Sequence, residues 1–159
     1  VVDRLDERTH FEAIGDIRYA SRYFQLQARL FGKIDGLFKL TSVVAGSSAF
    51  AGFLSGSPSL AGIAALVTAV ITALDVVWAP GSKCLICSDL SKRYTELERR
   101  GRKLSLDDLD DKIWKLRETE APAIEALRIP AYNQSVAERG LKSHKINTTW
   151  WQDFVSWLA

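Results

Sequence analysis

Polar and apolar positions divide this chain into three stretches. From Leu40 to Leu74 there is no Asp, Glu, Lys, Arg or His, whereas charged residues run through everything before and after. Inside that run, Ser55-Gly56-Ser57-Pro58-Ser59 has the composition of a turn: glycine reaches unusual backbone angles, proline ends a helix and the serines can cap one. The turn at 55–59 leaves two segments of 15 residues, Leu40–Leu54 and Leu60–Leu74. Fifteen helical residues reach only ~22 Å of a ~30 Å hydrocarbon core. A spanning helix must therefore borrow from its flanks. Gly36–Leu54 and Leu60–Trp78 provide 19 residues each, with Lys39 and Asp75 at the boundary. Lysine can snorkel to the headgroups, and Trp78 suits a membrane–water interface.

The flanks carry helical periods. Phe24, Ala28, Phe31, Ile34 and Phe38 recur at threes and fours, and Leu5, Phe11, Ile14 and Ile17 extend a looser stripe backwards, so residues 1–39 read as an amphipathic helical arm. Pro80-Gly81 marks the exit from the second apolar segment. Ile86, Leu90, Tyr94 and Leu97 then define a helix ending near Gly101. Ser105 reads as the N-cap of another, with Asp107 and Asp108 in its first turn; Leu109, Ile113, Leu116 and, past Pro122, Ile124 and Leu127 carry the next apolar stripe. Two antiparallel helices joined by a short turn account for residues 82–146. In the tail, 147–159, Trp150, Trp151, Phe154, Trp157 and Leu158 fall at helical spacing; they either pack under the bundle or lie in a membrane interface, and the lack of basic residues after Lys145 favours packing.

Composition changes this picture little. A chain of 159 residues has room for one domain, and 47% apolar residues is an ordinary share. In a chain that is 25% charged, the distribution is what matters. A helical hairpin buried in a soluble bundle is the competing reading, because both segments are rich in Ala, Gly and Ser. Such a bundle would show polar positions on an outer face, where these segments have only hydroxyls. The predicted fold is therefore all-α: a two-helix transmembrane hairpin (40–79) continued by long cytoplasmic helices. All Lys and Arg lie outside the turn, which places both termini of a multi-pass membrane protein in the cytoplasm. Val1–Lys39 is charged throughout and has no apolar core of a cleavable signal, so insertion is expected to rely on the hairpin; the absence of Met leaves the true start open.

Candidate chemistry is sparse. The net charge of +2, from 21 basic and 19 acidic residues, is too small for a nucleic-acid binder. Cys84 and Cys87 match C-x-x-C but lack a thioredoxin-like context and cannot alone hold zinc, so they read as reduced thiols, with acylation beside a membrane as the alternative. Arg99, Arg100, Arg102 and Lys103 read as a solvated turn balanced by the following aspartates; contact with anionic lipid or nucleotide is the other reading. The sequons at Asn133 and Asn147 are chance matches if the arms are cytosolic. No catalytic constellation, metal site or cofactor motif is present, which points away from an enzyme.

The apolar segments carry two further patterns. Ala61, Ala65, Ala69 and Ala73 repeat every four residues, and Ser42, Ala45, Gly46, Ala49 and Gly52 crowd one side of the first segment. In lipid such stripes permit close helix approach. Two small-residue faces on one hairpin favour a homo-oligomer over contact within the hairpin alone. Thr68, Thr72 and Asp75 share a face, as do Thr41, Ser48 and Ser55 at intervals of seven, and these could line a pore with Asp75 as a carboxylate ring at its mouth. The plainer reading sets Asp75 at the interface and lets the hydroxyls bond back to their own helices.

Leu90-Ser91-Lys92-Arg93-Tyr94-Thr95-Glu96-Leu97 after the second span, and Pro130-Ala131-Tyr132-Asn133 near the end, together with the layout of arm, short-turned hairpin and long helices, resemble the SLATT family of prokaryotic two-transmembrane effectors. The resemblance covers most of the chain in organisation; the Trp-rich tail is outside the pattern. It implies an antiviral-defence protein switched on by a nucleotide-signalling partner protein and permeabilising the inner membrane. Three functions compete: an oligomeric pore-type effector in the lipid bilayer, a non-conducting anchor or adaptor of phage or mobile-element origin that recruits a cytoplasmic partner, and a soluble helical interaction module.

Overall fold

A computed structural model describes residues 8–159 of the chain. All regular structure among them is helical: α1 (His10–Leu54), α2 (Pro58–Trp78), α3 (Pro80–Gly101), α4 (Leu106–Arg117), α5 (Arg128–Glu138) and α6 (Trp150–Leu158), with short 3-10 turns at Glu125–Leu127 and Lys142–His144. Two of the helices are long and apolar enough to cross a membrane. Leu5 lies outside the described residues.

Local chemistry sets the helix ends. α1 starts at a capping box: the Glu12 carboxylate accepts from the Thr9 backbone N–H (2.7 Å) and hydroxyl (2.9 Å), while the Glu12 N–H donates to Thr9 Oγ1 (3.3 Å). At its other end Gly56 adopts φ 69°, with Ser57 N–H donating to the Gly52 carbonyl (2.9 Å) and Gly56 N–H to that of Phe53 (3.2 Å). This is a Schellman closure, in which the left-handed residue is glycine because a Cβ is disfavoured there. The turn is shorter than the expected 55–59. Pro58 and Ser59 already belong to α2, since a proline at the first helical position loses no hydrogen bond. Ala79, left-handed at φ 46°, separates α2 from α3. Ser105 caps α4, its hydroxyl accepting from the Asp108 N–H at 3.2 Å, as the sequence predicts.

The chain forms two compact units, and they do not follow its order: one comprises 8–29 with 85–159, the other 30–84. In the first, Ala13 and Ile17 of α1, Leu90, Tyr94 and Leu97 of α3, and Leu109 and Ile113 of α4 build the core. Phe24 stacks on Tyr94 at 5.7 Å. Burial pushes the Tyr94 phenol up, with the Arg117 guanidinium acting against it, so the ring stays neutral in the core. The buried face of α1 also carries polar residues that periodicity passes over. Ser21 meets the Thr95 hydroxyl at 2.8 Å, and Gln27, fully buried, accepts from the Cys87 thiol at 3.3 Å. Arg18–Glu98 (2.5 Å) and Arg22–Glu138 (2.8 Å) add ion pairs across the same unit.

Residues 82–146 depart from the expected two helices. α4 stops at Arg117, and residues 118–124 are irregular up to the 3-10 turn, because Pro122 cannot sit inside a helix. Ile124 and Leu127 therefore leave the stripe of α4. The Ile124 backbone is held by the Tyr23 hydroxyl, which accepts from its N–H (2.9 Å) and donates to its carbonyl (3.3 Å). Leu127 is buried beside α5. Asn133 pairs both side-chain groups with the backbone of Ile146 (2.7 and 2.8 Å), fixing the approach to α6. The tail packs, as favoured above, but through one side only: α6 meets the 3-10 turn at Glu125–Leu127 and α5. α6 buries Val155, whereas Trp150, Trp151 and Trp157 are 78, 51 and 77% exposed. A full capping box between Thr149 and Gln152 closes its first turn.

Two predictions follow from this packing. Leu90→Ala should cost ~2–5 kcal/mol, read as a lowered denaturant midpoint, while the exposed Trp114→Ala changes it little. The Glu12 carboxyl sits below its ordinary value of 4.5, first through the Thr9 backbone N–H and then its hydroxyl. Its capping contribution is thus complete above that value and lost as pH falls through the depressed one. Amide exchange in the first turn of α1 should accelerate over that acidic window in wild type, and Glu12→Gln should flatten the dependence.

Candidate functional site

The 30–84 unit holds every residue singled out in the apolar segments. Its two helices differ from those of a buried core: none of the apolar 18-residue window of α2, whose mean hydropathy is 2.3, is buried, and α2 as a whole has no buried residue. Val43, Phe50, Phe53, Leu60, Ile63 and Leu66 are each more than 60% exposed. An apolar surface of this extent is far beyond what water-facing proteins carry. α2, with 21 residues, is ~32 Å long, close to the thickness of a hydrocarbon core.

The two helices approach closely at the turn. A Cβ on Gly52 would lie 3.0 Å from the Ala61 backbone nitrogen, so a side chain there would push the helices apart by a few tenths of an ångström. At the other end Trp78 meets Phe31 edge-on (6.3 Å) and Phe38 (6.1 Å), and the Lys83 ammonium lies 5.3 Å from the Trp78 ring and 5.9 Å from that of Phe31. Lys39 pairs with Asp35 at 2.7 Å. Aromatic rings and lysines thus gather at the charged ends of both apolar segments.

The small residues divide between two faces. The half-buried positions of α2 are Ala61, Ala64, Thr68, Ile71 and Asp75, recurring at threes and fours from the Gly52 contact. On α1, Ala45 and Gly52 are buried, and Gly46 and Ala49 half-buried. Ala65, Ala69 and Ala73 turn away from this face and are exposed, because a four-residue repeat drifts ~40° per step on a 3.6-residue helix. Only Ala61 of the alanine stripe takes part in the documented close approach.

The polar residues are placed less like a single lining. Thr41, Ser48 and Thr68 donate to the Leu37, Val44 and Ala64 carbonyls (2.8, 2.9 and 2.9 Å), and Ser55 to that of Gly52 (3.1 Å). Each hydroxyl is satisfied within its own helix. Thr68 and Asp75 share the half-buried face, while Ser48 and Thr72 are exposed. Cys84 and Cys87 form no disulfide. No known protein family, characterised protein or solved structure matches the chain.

The aromatic and lysine cluster around Trp78 was only partly legible in sequence: Trp78, Lys39 and the Phe31–Phe38 spacing are visible, but Lys83 lies beyond the Pro80 break and carries no periodic signal. Gly52→Ile should drive the helices apart, at ~1–3 kcal/mol for overpacking. Gly46→Ala, whose Cβ meets nothing within 4 Å, should be neutral or stabilising. Thermal midpoints of monomeric protein in detergent should rank Gly46→Ala at or above wild type and Gly52→Ile below it.

Proposed function

We propose that the protein is a two-span membrane protein, with α2 and the C-terminal part of α1 as a transmembrane hairpin, that self-associates in the inner membrane and permeabilises it. The single observation behind this reading is the uncovered apolar surface of α2 and of α1 beyond Gly36. A helix satisfies its own backbone polar groups, so lipid can be the missing cover. The Trp78–Lys83 contact and the Lys39–Asp35 pair suit a headgroup boundary, and the absence of Lys and Arg from the 55–57 turn supports both arms being cytoplasmic. Exposed Ala65, Ala69 and Ala73 leave a small-residue face available to a second copy. The resemblance to SLATT proteins adds a role as a prokaryotic antiviral-defence effector, triggered by a nucleotide-signalling partner protein.

A second reading has its own support. Hydroxyls that bond back to their own helices offer little to a water column. A non-conducting anchor or adaptor, of phage or mobile-element origin, would recruit a cytoplasmic partner through α3–α6. Both readings are of non-enzymes.

Alkaline carbonate should leave the protein in the membrane pellet; release would reject the spans. Crosslinking in nanodiscs should give oligomers that Ala69→Leu weakens, and monomer alone would reject self-association. Induced expression should collapse membrane potential if the protein is an effector and leave it intact if it is an anchor. In planar bilayers a pore mouth at Asp75 requires Asp75→Asn to reduce cation selectivity and Asp75→Lys to reverse or block it. Unchanged selectivity in both would place Asp75 outside the conduction path.

A further inference from the structure

A cleft of about 530 Å³ opens in the unit formed by 8–29 and 85–159, lined by His10, Phe11, Ile14, Arg18, Arg102 and Arg139. Its three guanidiniums come from α1, the α3–α4 turn and the end of α5, far apart in sequence. Arg18 is paired with Glu98 at 2.5 Å. Neither Arg102 nor Arg139 has a carboxylate partner among the ion pairs of the described residues. Arg102 also borders an adjoining depression with Arg99 and Glu98. Among the described residues positive charge thus outweighs negative in a concave setting, where like charges repel and an anion is the natural counterpart.

Arg139 and His10 are held in place by their neighbours, while Arg102 is exposed. The Arg139 guanidinium lies 4.3 Å from the centre of the Phe11 ring. Its Nη1 occupies the space that a side chain at position 15 would need, since a Cβ on Gly15 would come within 2.6 Å of it. The His10 imidazole is fixed by a 3.0 Å hydrogen bond from Nε2 to the Gly101 carbonyl. Planar guanidiniums with open N–H groups match phosphate oxygens in geometry as well as charge. Phe11 and Ile14 supply an apolar wall, and the volume is that of a small-ligand site.

We propose that this cleft binds a phosphate-bearing ligand, with Arg102 and Arg139 as its principal anion contacts, Arg18 as a third, and Phe11 and Ile14 against the ligand's apolar part. The phosphate can belong to a soluble compound or to a lipid headgroup. The site is independent of the membrane reading, because all six residues belong to the unit that lacks the apolar segments 40–54 and 60–74.

Inorganic pyrophosphate is the probe, titrated calorimetrically into the full chain in phosphatidylcholine nanodiscs, or in buffer if carbonate extraction shows the chain to be soluble. Wild type should bind one equivalent per chain. Arg102→Gln/Arg139→Gln should weaken binding about tenfold or more, from the loss of charge-assisted hydrogen bonds. Gly15→Ala removes no charge and suits a helix, yet displaces the Arg139 guanidinium, and should also weaken binding severalfold. Lys112→Gln/Lys115→Gln, with the same charge change elsewhere on the unit, should alter it less than about twofold. Absence of binding, an unaffected arginine double variant or Gly15→Ala variant, or an equal loss in the lysine control would overturn the proposal. Replacing half the phosphatidylcholine with phosphatidic acid separates the sources: competition with pyrophosphate assigns a headgroup, and unchanged binding assigns a soluble ligand.

Discussion

A 21-residue apolar helix with no buried side chain imposes the main constraint on this molecule. Water would penalise that surface heavily, and nothing else among the described residues covers it. Close contact at Gly52 and the rings around Trp78 bring the two apolar helices together, but one helix can shield only a single face of another. The remaining apolar surface has no cover among the described residues. Lipid on most of it, and a second copy along the small-residue face, would provide one. The charged ends of the helices are consistent with such an environment, because lysine and tryptophan combine an apolar body with a polar tip.

The 8–29/85–159 unit follows different rules. Its core is an ordinary apolar cluster from three helices, reinforced by hydroxyl contacts between Ser21 and Thr95 and by ion pairs at the rim. Partly exposed ion pairs contribute little to stability. Their value here is positional: Glu98 directs Arg18, just as Phe11 and Gly15 together direct Arg139. The cationic cleft thus arises as a by-product of how the helices pack, with Arg18 and Arg139 each oriented by a neighbour from another element. In the exposed rings of α6 the same unit leaves a second apolar surface without cover.

Much of the helical layout is legible in the sequence because its signals are local. The uncharged run, the glycine in its turn, the Pro80 break, the Gly101 end and the Ser105 cap each depend on a few adjacent residues, and each corresponds to a feature of the fold. Those that failed depended on what a helix meets. Ile124 and Leu127 keep helical spacing with Leu116, yet Pro122 prevents the helix from reaching them, and Tyr23 holds the connecting backbone instead. The tail helix packs, but its period records only that one face is apolar, not how much of it is covered.

The sequence by itself determined that the chain is helical, where its long apolar segments lie and where most helices stop, since propensity, capping and charge act over a turn or two. Tertiary structure decided which of several plausible stripes meets a partner. Ala61 faces Gly52 whereas Ala65, Ala69 and Ala73 do not, because a four-residue repeat drifts around the helix and the contact face follows threes and fours. It also decided that residues 8–29 fold with 85–159 and that Arg18, Arg102 and Arg139 share one cleft. No spacing along the chain encodes these outcomes: they depend on which distant surfaces exclude water together.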